Sequence, residues 1–95
     1  MINNNLIQFV RDNKGNPKGV VVASLIDGNV RIGWSLTNES SGDTFDKDMG
    51  MRIAIGRINV GSNAIVPMAV NKIIQSLVGR SKKYFKTDKI IIVGK

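Results

Sequence analysis

Val20-Val21-Val22-Ala23-Ser24-Leu25-Ile26-Asp27-Gly28-Asn29-Val30-Arg31-Ile32-Gly33-Trp34-Ser35-Leu36 is the segment on which the fold turns. Two apolar, β-branched runs flank Asp-Gly, the dipeptide that tolerates positive φ at both central positions of a type I′ turn. A two-residue loop at 27–28 pairs Ile26 with Asn29, Leu25 with Val30, Ala23 with Ile32 and Val21 with Trp34. That register gathers Val21, Ala23, Leu25, Val30, Ile32 and Trp34 on one face. Ser24, Arg31, Gly33 and Ser35, with Val20 and Val22, fall on the other. A slip of one residue would turn the apolar set of one strand towards solvent, so both strands select the same pairing.

Outward from the hairpin, Leu6 to Arg11 reads as a first strand. The stretch Asp12 to Gly19 is dense in Asn, Gly and Pro and reads as a turn. Downstream, Thr37 to Lys47 is a polar loop. Met51, Ala54, Ile55 and Ile58 then follow the i, i+3, i+4, i+7 spacing of an amphipathic helix, with Thr44 or Asp46 as its cap and Gly61 as its stop. Gly56, costly inside a helix, suggests close packing. A second helix begins near Pro67, with Val70, Ile73, Ile74, Leu77 and Val78 as its apolar stripe and Ser81, Tyr84 and Phe85 continuing it. Lys89 to Val93 is a short final strand whose unbroken apolar run suggests burial on both faces, or pairing in a sheet or between subunits. The expected architecture is a single α+β domain over 1–95 in the order β-β-β-α-α-β, a small antiparallel sheet with both helices packed on the Trp34 face.

The 95 residues contain neither His nor Cys. Disulfides, thiolate nucleophiles, zinc fingers and imidazole-based catalysis are therefore excluded. No apolar run reaches the length of a membrane span, and the N-terminus lacks the pattern of a signal peptide, so the expected setting is cytoplasmic. The carboxylates that remain sit in hydrophilic sequence with nothing to raise their pKa values. The reading is a non-enzymatic protein without a cofactor.

Charge is the main functional signal. Fourteen Lys and Arg stand against seven Asp and Glu, a net charge of +7. Arg80, Lys82, Lys83, Lys86, Lys89 and Lys95 crowd the last 16 positions against Asp88 alone. A concentrated basic end is the electrostatic footprint of a nucleic-acid binder; it also complements a helix C-terminus and aids solubility. Arg80, Lys82, Lys83 and Lys86 are the expected phosphate contacts.

Secondary candidates lie elsewhere. Arg31 beside Gly33, on the hairpin face away from Trp34, would meet a base or phosphate if that face is open; Phe9 could join it. Arg52 and Arg57 lie near a helix start in Gly50 to Arg57, which lacks the Lys-Ser/Thr ending of a phosphate loop. The acidic segment with Glu39, Asp43, Asp46 and Asp48 departs from the EF-hand pattern, and helix capping or pairing with Arg52 and Arg57 explains it more simply than a metal.

One stretch resembles a set of small phage-encoded proteins: Gly33-Trp34-Ser35-Leu36-Thr37-Asn38, then Asp43-Thr44-Phe45-Asp46-Lys47, then Ile53-Ala54-Ile55-Gly56-Arg57. Their shared segments are G-W-S-L-x-N, D-x-F-D-K and I-A-x-G-R, and the likeness covers about 25 residues. It implies a viral origin, with an infected bacterial host as the setting, and carries over no functional residue. The set has no established activity, but phage proteins this small often bind nucleic acid or inhibit a host factor or defence system, and the resemblance implies a role of that kind.

Two expectations follow. The first is a basic protein that holds DNA or RNA electrostatically with little sequence specificity, through Arg80, Lys82, Lys83 and Lys86 and secondarily Arg31, Arg52 and Arg57. The second is an inhibitor of a host protein, or a protein that sequesters a small nucleotide, acting by occupancy as a homodimer or higher oligomer formed through sheet edges.

Overall fold

The computed structural model describes residues 5–37, 46–60 and 67–92. Their order is β1 (Asn5–Arg11), β2 (Pro17–Ile26), β3 (Asn29–Leu36), α1 (Lys47–Val60), α2 (Met68–Tyr84) and β4 (Ile90–Ile92). The α+β class and the order of elements are those read from the sequence. Thr44 and Gly61, expected at the ends of the first helix, lie outside the described residues. No described helix is long and apolar enough to cross a membrane.

The central hairpin adopts the pairing that its apolar pattern requires. Ile26 faces Asn29, Leu25 faces Val30, Ala23 faces Ile32 and Val21 faces Trp34. Asp27 and Gly28 have φ of 51° and 83°, the left-handed pair of a type I′ turn. β1 pairs antiparallel with β2, with an irregularity between Val10 and Arg11 where Arg11 steps to Pro17. The β1–β2 turn is held by Asp12, whose carboxylate accepts backbone N–H bonds from Lys14 and Asn16, both at 2.9 Å.

β4 joins β3 in parallel, with Ile90, Ile91 and Ile92 beside Val30, Arg31 and Ile32. The sheet is therefore mixed, in the order β1-β2-β3-β4. This corrects the all-antiparallel expectation. After β3 the chain runs through both helices before returning, and a crossover of that length is what a parallel neighbour requires.

The helices pack against the sheet, one on each side. α2 lays Val70, Ile74 and Leu77 on Val10, Val21, Ala23, Val30, Ile32 and Trp34. α1 lays Ala54 and Ile58 on Val20 and Val22, with Phe9, Ile26, Met51 and Ile55 at the margin. The expectation that both helices share the Trp34 face is corrected in this respect. The physical reason is in β2. Val20, Val21, Val22 and Ala23 alternate between faces, and all four are fully buried. A strand apolar on both sides needs a cover on both.

Gly33 fixes how closely α1 can approach. A Cβ there would collide with the Ala54 backbone carbonyl and lie 2.7 Å from Ile58 Cγ1. Gly56, the glycine expected to mark tight packing, has open space where its side chain would be. The close contact comes from the strand's glycine rather than the helix's.

Candidate nucleic-acid interface

Among the described residues α2 carries the densest exposed positive charge. Its inward stripe is Val70, Ile74, Leu77 and Ser81. Its sequence holds Lys72, Arg80, Lys82 and Lys83 with no Asp or Glu. All four cations are exposed, as are Lys86 and Lys89 just beyond the helix. Lys72 and Lys83 lie three turns apart on one outward stripe. Tyr84, expected to continue the apolar face, is exposed instead and meets Phe85 edge-on at 4.9 Å.

A contact and a backbone turn shape this end of the molecule. Arg80 donates to the Gln8 side-chain oxygen at 3.0 Å, bringing one cation onto β1. Lys86 has φ of 55° and follows the C-cap residue Phe85. A left-handed residue there ends the helix, and glycine usually holds that position. A lysine in this conformation is strained by roughly 1–2 kcal/mol. The chain keeps an outward cation where a relaxed turn would prefer glycine.

The hairpin face proposed as open is covered by α1. Arg31 donates to the Ile58 carbonyl at 3.0 Å, one of the last-turn carbonyls that a helix leaves without an internal partner. Arg57 donates to the Trp34 carbonyl at 2.9 Å, and its guanidinium carbon sits 4.4 Å from the Trp34 ring centroid. The β3 residues 30, 32 and 34 turn their backbone groups away from β2, as the Val30 N–H bond to Lys89 attests. β4 pairs with β3 only as far as Ile32. Arg57 thus meets a carbonyl on the part of β3 that runs past the β4 pairing. Ser35 hydroxyl likewise donates to the Gly50 carbonyl at 3.0 Å. Arg31 and Arg57 are half-buried and engaged inside the fold, apart from the α2 cations.

Arg52 is different. It is exposed on α1 and lines a cleft of about 590 Å³ with Ile7, Phe9, Lys47, Asp48 and Met51. A second hollow of about 330 Å³ shares Phe9 and Lys47 and adds Arg11 and Pro17. α1 lies over β2 and β3, so the Ile7–Phe9–Arg11 side of β1 runs beside it rather than beneath it. Lys47 Nζ stands 5.6 Å from the Phe9 ring centroid, an exposed cation–π contact worth about 0.5–1 kcal/mol. Sequence reasoning placed Phe9 on this face only conditionally. The β1 register puts it opposite Val20, on the α1 side. Lys47 and Arg11 were missed, since only the fold brings them together.

The start of α1 is already capped. The Asp46 carboxylate accepts N–H bonds from Asp48 at 3.0 Å and Met49 at 3.2 Å. Those amides are taken, which leaves side-chain cations, not the helix end, to meet an anion. Asp46 also accounts for one of the acids considered for a metal. Among the described residues no group of three or more carboxylates could hold a metal ion; Glu39 and Asp43 lie outside them.

Comparison with family models, with curated proteins and with solved structures finds no match to this chain.

Proposed function

We propose that this protein is a small, basic, non-enzymatic nucleic-acid binder whose outward α2 surface contacts phosphates. The observation that carries the reading is the asymmetry of α2: Lys72, Arg80, Lys82 and Lys83 without one acidic residue on the helix. Lys86 and Lys89 extend the same charge into the turn before β4. Binding on this basis is electrostatic and weakly sequence-specific, because lysines on an outward helix face meet phosphates and carry no base pattern of their own.

Arg80, Lys82, Lys83 and Lys86 remain the central contacts, with Lys72 and Lys89 added. Arg31 and Arg57 leave the list, because each already serves a backbone carbonyl inside the fold. Neutralising six phosphates on duplex DNA predicts that log K falls with log salt at a slope of about −5. The test is fluorescence anisotropy with duplex DNA, single-stranded DNA and RNA at about 50 and 200 mM salt, where phosphate-driven binding changes most. Reversing charge at Lys82, Lys83 and Lys86 to Glu should abolish binding to all three. Undiminished affinity in that variant would remove α2 from the interface. A length-independent partner insensitive to salt would favour a small nucleotide or a host protein.

A further inference from the structure

α2 forms a ridge on its side of the sheet. It packs on one sheet face while α1 covers the other, so no described helix flanks it. The crest of the ridge is Gly79. About two and a half turns separate Gly79 from the fully buried Val70, which sets the two on opposite sides of the helix. Gly79 is exposed, and a Cβ there would meet nothing within 4 Å. Glycine weakens a helix interior, and no described neighbour uses the space that it leaves. Gln75 and Lys82 fall on one side of the crest; Lys72, Ser76 and Lys83 fall on the other. All five are exposed. The ridge thus carries cations along both margins and no acid. Its centre offers no apolar side chain for a protein partner to bury.

Resting on the nucleic-acid reading above, we propose that α2 enters the major groove of B-form DNA, with Gly79 at the point of closest approach and Gln75 on a base edge. A helix with its side chains is about 10–12 Å across and the groove is about 12 Å wide, so a helix without helical neighbours fits it. The missing side chain at Gly79 lets the helix axis come nearer to the groove floor. Gln75, one turn away, then reaches a base; glutamine pairs bidentately with adenine N6 and N7. Lys82 meets phosphates on one wall of the groove, and Lys72 and Lys83 meet those on the other. Single strands offer no such groove, and the major groove of A-form RNA is deep and narrow. Both meet the lysines by charge alone. Groove entry therefore adds a preference for duplex DNA to the electrostatic binding.

The experiment measures anisotropy of duplex DNA, duplex RNA and single-stranded DNA of equal length and mixed sequence with the full chain, as wild type, Gly79→Leu and Gln75→Ala. Wild type should prefer duplex DNA. Leucine is a good helix former, so Gly79→Leu should keep the fold, read as an undiminished urea midpoint. It should weaken duplex DNA binding about tenfold, within the range of one lost base contact, and leave the other two ligands unchanged. Gln75→Ala should weaken duplex DNA binding several-fold with the salt slope unchanged, since no cation is removed. It is the deciding variant if Gly79→Leu does not fold. Equal wild-type affinity for duplex DNA and duplex RNA would overturn groove entry while leaving the α2 reading intact. So would unchanged duplex DNA binding in either folded variant, or an equal loss for all three ligands. Failure of wild type to bind any of these nucleic acids would overturn both readings together.

Discussion

The two faces of the sheet are closed by different chemistry. On the α2 side, Val21, Ala23, Val30, Ile32 and Trp34 meet Val70, Ile74 and Leu77 in one apolar cluster. Among the described residues the buried apolar cluster on the α1 side is smaller: Val20, Val22, Ala54 and Ile58. There the helix is held by a glycine gap and three polar bonds to backbone: Arg31 to Ile58, Ser35 to Gly50 and Arg57 to Trp34. Apolar area is non-directional and tolerates a helix anywhere along the stripe. Hydrogen bonds are directional and fix one placement. α2 can therefore serve as stable backing for an outward cationic surface. α1 is positioned by its polar ties so that its first turns stand beside β1 and leave a cleft.

The largest expected effect is on the apolar side. Ile74→Ala empties a fully buried position and should cost about 2–5 kcal/mol, read by urea denaturation as a fall in midpoint with the slope unchanged. If the loss is under 1 kcal/mol, α2 is not the main core element. Next comes Gly33→Ala. The added carbon meets a backbone carbonyl that cannot step aside, so α1 must lift, at about 1–3 kcal/mol. Hydrogen exchange should then rise in α1 more than in α2; an equal rise in both would contradict separate closure of the two faces.

A smaller effect of opposite sign is expected at Lys86. Lys86→Gly relieves a left-handed lysine, φ 55°, and should raise stability by up to about 1 kcal/mol, less the added freedom of glycine in the unfolded chain. The same change should weaken nucleic-acid binding. Unchanged affinity would separate Lys86 from the binding surface, and a fall in stability would mean that the left-handed lysine is not strained.

The smallest effect concerns Asp12. Backbone hydrogen bonds, that from Asn16 foremost, hold its carboxyl below the usual 3.8. A folded-state pKa below the unfolded value means that the stabilisation is present above the unfolded pKa and fades as pH falls through the folded one. An NMR titration should find Asp12 deprotonating below pH 3.8, with the Lys14 and Asn16 amides reporting the same transition. Ordinary titration there would mean the turn is not held by its carboxylate.

The hairpin was legible because its determinants are local: an Asp-Gly turn and a period of two. Both helices were legible from their apolar spacing for the same reason. Their placement was not. The signal existed in Val20 to Ala23, an unbroken apolar run that demands cover on both faces. Lys89 to Val93 carries a similar apolar run, yet its described strand, Ile90–Ile92, lies at the sheet edge with Ile91 exposed. Gly33 was read as room for a ligand, whereas the room is filled by α1. Arg31 and Arg57 read as anion contacts because sequence cannot distinguish a guanidinium facing phosphate from one facing a helix or strand carbonyl. The cations of α2 were legible as a group because they fall on one helix. The Phe9 cleft was not, since Arg11, Lys47 and Arg52 come from segments that only tertiary structure brings together.

On the proposed reading, nucleic acid meets this protein on the outward side of α2 and not at the hairpin tip. The most direct test of that reading is an NMR titration of the ¹⁵N-labelled chain with a short single-stranded oligonucleotide at low salt. Shifts should concentrate at Lys72, Arg80, Lys82, Lys83 and Lys86, with Leu25 to Asn29 unmoved. Shifts centred on the hairpin tip, or none at all, would contradict it.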